Sequence, residues 1–281
     1  MTLFLAIDGG GTGCRAAVAD DSGCVLGHGH GGPANIASDH EAARSNILAA
    51  TEMALAAALG PTEVRQALPQ LVAGLGLAGA NAAGVAGRLR LALPFARTRI
   101  ETDAIAAAKG ALADADGIVA ALGTGSVFAV QYQGSIRTFG GWGLVLGDEG
   151  GGAHLGRAAL SLALRAVDGF ATMTPFLQGL LDEHGGAASV VSFAQSARAA
   201  DFAQLAPRVV QSADPAAQSL WSACTDGVSA VIADLRKGTD LPVTFIGGLG
   251  PFYAEALRQI PQVKAKGTTL DGAMLLAREV G

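Results

Sequence analysis

The feature that most constrains the fold is an order of short segments that occurs twice along the chain. In residues 2–29 an apolar run typical of a strand is followed by a glycine turn containing a threonine, a second strand, a tight turn and a third strand. Residues 117–139 repeat this order, with Gly123-Thr124-Gly125 in place of the first turn. Such self-similarity is typical of a duplicated supersecondary unit. The repeat therefore predicts two halves of like topology, each with a glycine hairpin.

The length and apolar content agree with two folded domains. The 281 residues correspond to about 1.9 domains of roughly 150 residues. Half of the residues are hydrophobic and 15% are charged, which excludes the weakly hydrophobic, disordered class. Apolar residues recur at helical spacing in 39–59, 154–167 and 216–236. The alternation of strands and helices predicts an α/β protein.

Charge, cysteine content and the first residues exclude several classes of protein. The net charge is −5 and the 19 Lys and Arg residues are scattered, so we expect no nucleic-acid partner. The three cysteines, Cys14, Cys24 and Cys224, have neither metal nor redox spacing. The N-terminal run lacks a basic region and reaches a charge at Asp8, and the chain has no run of 18 strongly apolar residues. We therefore expect no signal peptide, no membrane partner and a cytoplasmic protein.

Three glycine-rich turns, at 9–13, 123–125 and 247–250, each follow an apolar strand directly. Glycine has no Cβ, so its backbone N–H groups can approach a phosphate closely. The first turn is not followed by a helix, as a dinucleotide fingerprint requires, and the chain has no GxxxxGK[ST] motif. The first two turns therefore predict that both hairpins grip a ligand with several phosphates. Asp8, beside the first turn, either holds Mg²⁺ through water or caps the turn.

Two further groups of polar and aromatic residues lie where strands end or glycines cluster. Asp103 stands between a strand and the Ala-rich helix 104–114, so it is either a base for an attacking hydroxyl or the N-cap of that helix. Asp148 and Glu149 lie among five glycines and form either part of a site or a solvated pair. Trp142, bracketed by glycines, is typical of a platform or lid residue.

The turns also resemble those of a known superfamily. DGGGT at 8–12, LGTGS at 122–126 and GGLG at 247–250 resemble the two phosphate loops and the adenosine loop of the actin-like, sugar-kinase and chaperone ATPases. The phrase GGWGLVLGDEGGGAHLGRAAL at 140–160 resembles the N-acetylglucosamine and glucosamine kinase branch of the BadF/BadG/BcrA/BcrD-type ATPases. The likeness covers essentially the whole chain.

The resemblance implies two ribonuclease-H-like (actin-like ATPase) domains of α/β type with an ATP cleft between them. The first domain would span 1–114 and be joined by the C-terminal helix 268–281, and the second would span 115–267. The apolar residues of that helix suit one buried face, which we expect to contain Leu270, Met274, Leu275 and Ala277.

The resemblance also implies roles for individual residues. ATP phosphates would be bound by Gly10, Gly11 and Thr12, and by Gly123, Thr124, Gly125 and Ser126. Adenosine would be bound by Gly247, Gly248 and Gly250. Asp103 would be the catalytic base and would contact the sugar together with Asn35, Gly79, Thr124, Trp142 and Asp148. The expected cofactors are ATP and Mg²⁺, with Asp8 as the metal ligand.

The function implied is ATP-dependent phosphorylation of an amino sugar, N-acetylglucosamine or glucosamine, on its 6-hydroxyl. The expected partner is this small molecule. The sequence leaves open whether the chain forms a homodimer. One alternative is an activator ATPase of a 2-hydroxyacyl-CoA dehydratase-like system, which would need cysteines arranged for an iron–sulfur cluster. Another is a sugar-sensing regulator, which would carry a helix-turn-helix segment before the first strand. The cysteine arrangement and the start of the sequence favour the kinase.

Overall fold

The computed structural model describes residues 2–281 and forms two β-sheets with helices packed against them. The strands are β1 (Phe4–Gly9), β2 (Cys14–Ala19), β3 (Val25–Gly31), β4 (Val72–Leu77), β5 (Arg97–Thr102), β6 (Gly117–Leu122), β7 (Ser126–Tyr132), β8 (Ser135–Gly140) and β9 (Val243–Ile246).

Helices connect the strands and build most of the second half of the chain. They are α1 (His40–Leu59), α2 (Val64–Ala67), α3 (Val85–Ala92), α4 (Asp103–Leu112), α5 (Gly152–Val167), α6 (Pro175–His184), α7 (Ala187–Ser196), α8 (Ala199–Ala203), α9 (Ala206–Gln211), α10 (Pro215–Leu235), α11 (Gly250–Ala256) and α12 (Thr269–Arg278). Local signals set some of the ends: the Asp39 side chain accepts from Ala42 N at the start of α1, and Gly60 ends that helix at a φ of 92°.

The two sheets confirm the repeat seen in the sequence. The first sheet has the order β3-β2-β1-β4-β5 and the second β8-β7-β6-β9, so four strands of each occupy equivalent places. In the first sheet β1–β2 and β2–β3 are antiparallel, whereas β1–β4 and β4–β5 are parallel. In the second sheet β6 and β9 are parallel. The carboxyl ends of β1, β4 and β5 therefore lie at one edge of the first sheet, and those of β6 and β9 at one edge of the second.

Contacts divide the chain into two compact units. The first comprises residues 2–116, 131–137 and 264–281, and the second comprises 117–130 and 138–263. Each unit has its own hydrophobic core. Among residues 2–281 no single helix has the length and apolar character of a membrane span. The segment formed by α1 and residues 64–70 has a sufficient length and apolar composition, but it is bent by 114°.

Glycines in the first unit let helices approach sheets and one another closely. A Cβ on Gly29 of β3 would lie 2.8 Å from the backbone N of Ala54 in α1. A Cβ on Gly272 of α12 would lie 2.6 Å from the backbone N of Gly110 in α4. Cβ atoms do not come this close to backbone atoms in real proteins, so these positions require glycine. Part of the high glycine content therefore serves packing rather than turns.

The C-terminal helix α12 packs on α4, β1 and β4 of the first unit. Its buried face consists of Gly272, Ala273, Leu276 and Ala277. The predicted face is thus wrong at Leu275, which is 37% exposed. Apolar periodicity predicts Leu275 on the buried face, whereas the structure buries the next residue, Leu276. The reason is that α4 approaches α12 closely at Gly272, so the small residues of α12 face the first unit.

We expect the same substitution at two helical glycines to change stability in opposite directions. Gly272→Ala should lower the free energy of unfolding by about 1–3 kcal/mol, because the new methyl group overpacks the contact with α4. Gly179→Ala in α6 should raise it by about 0.5–1 kcal/mol, because a Cβ there meets no atom within 4 Å and alanine favours the helix. Urea unfolding of both variants measures the difference, and a stable Gly272→Ala would contradict the packing argument.

Candidate active site

In the first unit the predicted residues gather where parallel strands end. Gly9 of β1, Leu77 of β4 and Thr102 of β5 are in register across the sheet. The chain continues from these three residues into the first glycine turn, into Ala78-Gly79 and into Asp103 respectively. The sheet register thus brings together three segments that lie far apart in the sequence. Carboxyl ends of parallel strands are where α/β proteins usually bind ligands.

The first glycine turn has its ends held by hydrogen bonds and its tip open. Gly10 N donates to Gly13 O at 2.9 Å, and Gly10 O accepts from Ala34 N at 2.8 Å. Gly11 and Thr12 are exposed, and a Cβ on Gly11 would meet no atom within 4 Å. The backbone of the turn is therefore rigid at its base and accessible to an anion at its tip.

Asp8 is paired with a cation that the sequence analysis missed. The two residues face each other across the β1–β2 hairpin, and Arg15 Nη2 lies 2.5 Å from Asp8 Oδ2. The Asp8 side chain is 15% exposed and that of Arg15 is 64% exposed. Asp8 and Arg15 lie at equal distances along the sequence from the centre of the hairpin turn, and this symmetry is the signal that could have indicated the pair. Beside the phosphate turn there is consequently an accessible positive charge as well as an acid.

Asp103 is the first residue of α4 but is not its N-cap. The cap is Thr102, whose Oγ1 accepts from Ile105 N at 3.2 Å. Asp103 Oδ1 accepts from Ala104 N at 2.9 Å, so Oδ2 can receive a proton from a ligand. Burial raises the pKa of Asp103, the bond from Ala104 opposes that rise, and the negative charge of Asp8 adds to it. A carboxylate with a raised pKa is a stronger base than an ordinary surface aspartate.

Asn35 and Gly79 lie side by side next to the first turn. Ile36 N donates to Ala78 O at 3.0 Å, and Gly79 has a φ of 80°. A Cβ on Gly79 would lie 2.6 Å from Asn35 Oδ1, so only glycine allows this approach. Asn35 Oδ1 already accepts from Ala37 N and Ser38 N, at 3.0 and 3.2 Å. The Asn35 amide nitrogen is thus the group left to donate to a ligand.

In the second unit the turn after β6 is built like the first. Gly123 N donates to Gly125 O at 3.0 Å, and Gly123 O accepts from Gly152 N at 2.8 Å. Thr124 is exposed, and its carbonyl accepts from Ala153 N at 2.8 Å. The turn is thereby bonded to the first residues of α5. Ser126 is buried and its Oγ donates to Glu149 O, so this hydroxyl proton is engaged within the protein.

Asp148 lies against the second glycine turn. Its backbone is in the left-handed region, with a φ of 60°, which is uncommon outside glycine. A Cβ on Gly125 would lie 2.9 Å from Asp148 Cγ, so the carboxylate occupies the space above that glycine. Asp148 Oδ1 accepts a hydrogen bond of 3.3 Å from Gly143 N. The strained backbone and these contacts hold the acid at the turn rather than in solvent.

The loop before Asp148 carries exposed apolar side chains. Trp142 is 70% exposed, so it is not a core residue. Val145 and Leu146 are 87% and 81% exposed. The platform or lid role of Trp142 stays a prediction.

The third glycine turn adjoins the second through the parallel pair β6–β9. Leu249 N donates to Leu122 O at 2.9 Å, and Gly247, with a φ of 86°, packs against the backbone of Leu122 and Gly123. Gly248 is exposed and unobstructed, whereas Gly250 is buried against the backbone of Phe245. The second and third turns thus form one continuous glycine-lined surface within the second unit.

The acidic residues of the site suit a metal ion that is held mostly by other ligands. Within residues 2–281 no group of three His, Cys, Asp or Glu side chains could hold a metal by itself. Mg²⁺ commonly takes one or two carboxylates and completes its shell with phosphates and water. Asp8 at the phosphate turn fits such a ligand, because its ion pair with Arg15 uses only Oδ2.

Comparison with known proteins places the chain among kinases. The sequence model of the BadF/BadG/BcrA/BcrD ATPase family matches residues 5–257. Glucosamine kinase GspK of Vibrio cholerae is 30% identical over 287 residues, covering 99% of this chain and 96% of that protein. A solved structure described as a candidate N-acetylglucosamine kinase of Chromobacterium violaceum is 32% identical, with a TM-score of 0.87 and 99% of both chains covered.

The architecture extends to more distant proteins. A ROK family glucokinase of Streptomyces griseus, solved with glucose and AMPPNP, superposes with a TM-score of 0.60 at 18% identity, covering 99% of each chain. This likeness shows the fold alone. Together with the two sheets, it confirms the predicted α/β fold of the actin-like ATPase type. The family match over most of the sequence and the full-length relatives show that the chain belongs to the BadF/BadG/BcrA/BcrD ATPase family.

Proposed function

We propose that this protein is an ATP-dependent kinase that phosphorylates an amino sugar, glucosamine or N-acetylglucosamine, on its 6-hydroxyl. The observation that carries the proposal is the half-buried Asp103, with its raised pKa, at the strand edge that also bears the first glycine turn. Phosphoryl transfer to a hydroxyl needs a base for the hydroxyl proton and otherwise mainly positioning and charge neutralisation. The full-length relative named as a glucosamine kinase supports the choice of acceptor.

On the acceptor side, roles are proposed for residues of each unit taken by itself. Asp103 Oδ2 accepts the proton of the 6-hydroxyl as its oxygen attacks the γ-phosphorus, while the bond from Ala104 N orients the carboxylate. The Asn35 amide donates to a sugar hydroxyl, and Gly79 leaves room for that amide. Asp148 accepts from another hydroxyl or from the amine, and Thr124 and Trp142 complete the sugar contacts.

On the nucleotide side, backbone N–H groups bind the phosphates. In the first unit Gly11 and Thr12 supply them, since Gly10 N already donates to Gly13 O. In the second unit Thr124, Gly125 and Ser126 are the candidates, since Gly123 N already donates to Gly125 O. Gly247 and Gly248 adjoin adenosine and ribose, and Gly250 allows α11 to start close to β9. Asp8 would hold Mg²⁺, which when bound neutralises charge on the phosphate oxygens. When ATP binds, the Arg15 guanidinium leaves Asp8 Oδ2 and pairs with a phosphate oxygen. The guanidinium thus keeps a negatively charged partner throughout.

The test is ADP release from ATP with glucosamine, with N-acetylglucosamine and with no sugar. We expect release that depends on an amino sugar, and ³¹P and ¹³C NMR of the product should place the phosphate on O6. Release without any sugar would favour an activator ATPase, and no release would favour a regulator. The cysteines do not favour the activator, because Cys14 and Cys224 are buried and only Cys24 is exposed.

We expect Arg15→Gln to raise the KM for ATP by about 10- to 100-fold, the equivalent of one lost hydrogen bond to a charged group. Arg15→Lys keeps the charge and should retain most of the affinity. The exposed Arg65→Gln, on α2, is a control for loss of positive charge elsewhere in the same unit. Steady-state kinetics with ATP varied at saturating sugar measure the effect. An unchanged KM in Arg15→Gln would show that the arginine only neutralises Asp8.

A further inference from the structure

The turn that carries Asp148 is held by hydrogen bonds at three consecutive carbonyl groups. Asp148 O accepts from Gly151 N at 2.9 Å, which closes the turn on itself. Glu149 O accepts from Ser126 Oγ at 2.7 Å, and Gly150 O accepts from Tyr253 Oη at 2.8 Å. The second bond comes from Ser126, the first residue of β7 after the second glycine turn, and the third comes from α11.

The surroundings of Tyr253 place its hydroxyl at this carbonyl group. Tyr253 is fully buried, and its ring lies 4.5 Å from that of Trp221, centroid to centroid. Gly150 has a φ of 84°, and a Cβ there would lie 3.2 Å from Tyr253 Oη and closer still to a side chain of α10. The hydroxyl therefore reaches the carbonyl because residue 150 is glycine.

The Tyr253 hydroxyl stays protonated and remains a donor at any working pH. Burial raises the pKa of Tyr253 above its ordinary value, and the neighbouring Cys224 adds to that rise. Cys224 is itself buried, which raises the pKa of its thiol. A charged form of either group is therefore absent near neutrality, and the bond to Gly150 does not titrate.

We propose that Tyr253 is a positioning residue that holds Asp148 at the sugar-binding side of the second glycine turn. This inference rests on the proposed function, in which Asp148 binds the amino sugar. Because α11 begins at Gly250, the last residue of the third glycine turn, the same hydroxyl also ties that turn to Asp148. Without it, the left-handed backbone at Asp148 loses one of the contacts that keep it in place, and the carboxylate moves off Gly125.

The first test is Tyr253→Phe, which removes the hydroxyl and keeps the ring. We expect the KM for the amino sugar to rise by about 10-fold, the loss of one buried hydrogen bond. The KM for ATP should change by less than about 2-fold, and the pH profile should keep its shape because the lost group does not titrate. Trp221→Phe is the matched control, since it reduces packing on the Tyr253 ring and leaves the hydroxyl bond. It should lower Tm without changing the KM for the sugar.

A second measurement does not depend on the reaction. Hydrogen exchange of the amides of Gly151, Gly152 and Ala153, which follow the turn, should be about 10-fold faster in Tyr253→Phe and unchanged in Trp221→Phe. Faster exchange with a wild type that fails to phosphorylate amino sugars would refute the proposed function and leave the positioning role intact. Unchanged exchange and an unchanged KM for the sugar, whatever the Tm, would overturn the role of Tyr253.

Discussion

Asp103→Asn should lower kcat by about 10²- to 10⁴-fold, the usual contribution of a general base, equivalent to about 3–5 kcal/mol in activation free energy. Asparagine has the size of aspartate and can still accept from Ala104 N, so ATP affinity and Tm should stay close to those of the parent. Only the ability to take the hydroxyl proton is removed. Single-turnover kinetics with glucosamine and with N-acetylglucosamine measure the chemical step directly.

The pH dependence of kcat/KM is an independent test of Asp103 as the base. A base acts only when ionised, and burial raises the pKa of Asp103. The kcat/KM of the parent should therefore fall as the pH drops through a value above the ordinary aspartate pKa of about 3.9. This acid limb should be missing in Asp103→Asn. An unchanged limb would assign it to another group, and Asp148 would then be the next acid to substitute.

Thr102→Ala separates catalysis from helix capping. Because Thr102 rather than Asp103 caps α4, its loss should lower the free energy of unfolding by about 0.5–2 kcal/mol and leave turnover per folded molecule unchanged. Near-parent turnover in Asp103→Asn would show that Asp103 is not the base.

Gly11→Val should weaken ATP binding by about 10²- to 10⁴-fold at an unchanged Tm. A Cβ on Gly11 meets no atom within 4 Å in the folded chain, so the fold accepts the larger side chain. In the complex the same side chain would occupy the space of a phosphate. The cost combines overpacking of about 1–3 kcal/mol with the loss of a charge-assisted hydrogen bond of about 1.5–3 kcal/mol. Calorimetric titration with AMPPNP and Mg²⁺ measures the affinity.

Two further variants sharpen this result. Gly87→Val lies on the exposed side of α3, where a Cβ is also unobstructed, and should leave ATP affinity unchanged. Gly125→Val should abolish nucleotide binding as well, but its side chain displaces the Asp148 carboxylate and so also weakens sugar binding. ATP affinity retained in Gly11→Val would place the phosphates away from the first turn.

Much of the candidate site can be predicted from the sequence because its parts are local. A glycine turn after an apolar strand, or an acid between a strand and a helix, depends on a few adjacent residues. Asp8, the turn at Gly10–Thr12 and Asp103 are of this kind. Their convergence at one sheet edge then follows from the parallel pairing of β1, β4 and β5, which the structure supplies.

Other features depend on contacts that no local pattern records. Thr102 caps α4 because its backbone is extended, with a ψ of 153°. The Asp103 carboxylate is therefore not used as the cap and can act on a ligand. In α12 the close approach of Gly110 and Gly272 leaves Leu275 exposed while Leu276 stays buried. In both cases the packed neighbour, not the residue's own propensity, decides the outcome.

Sequence reasoning predicts the duplicated strand order, the three glycine turns and the acids beside them, because strands, turns and charge alternate over distances of a few residues. The folded chain adds three contacts that no local pattern predicts: Arg15 pairs with Asp8, Asp148 packs on Gly125, and Tyr253 donates to Gly150. These contacts join segments as far as 103 residues apart. Their geometry depends on sheet register and on backbone approaches that only glycine permits, and neither is encoded in the spacing of residues along the chain.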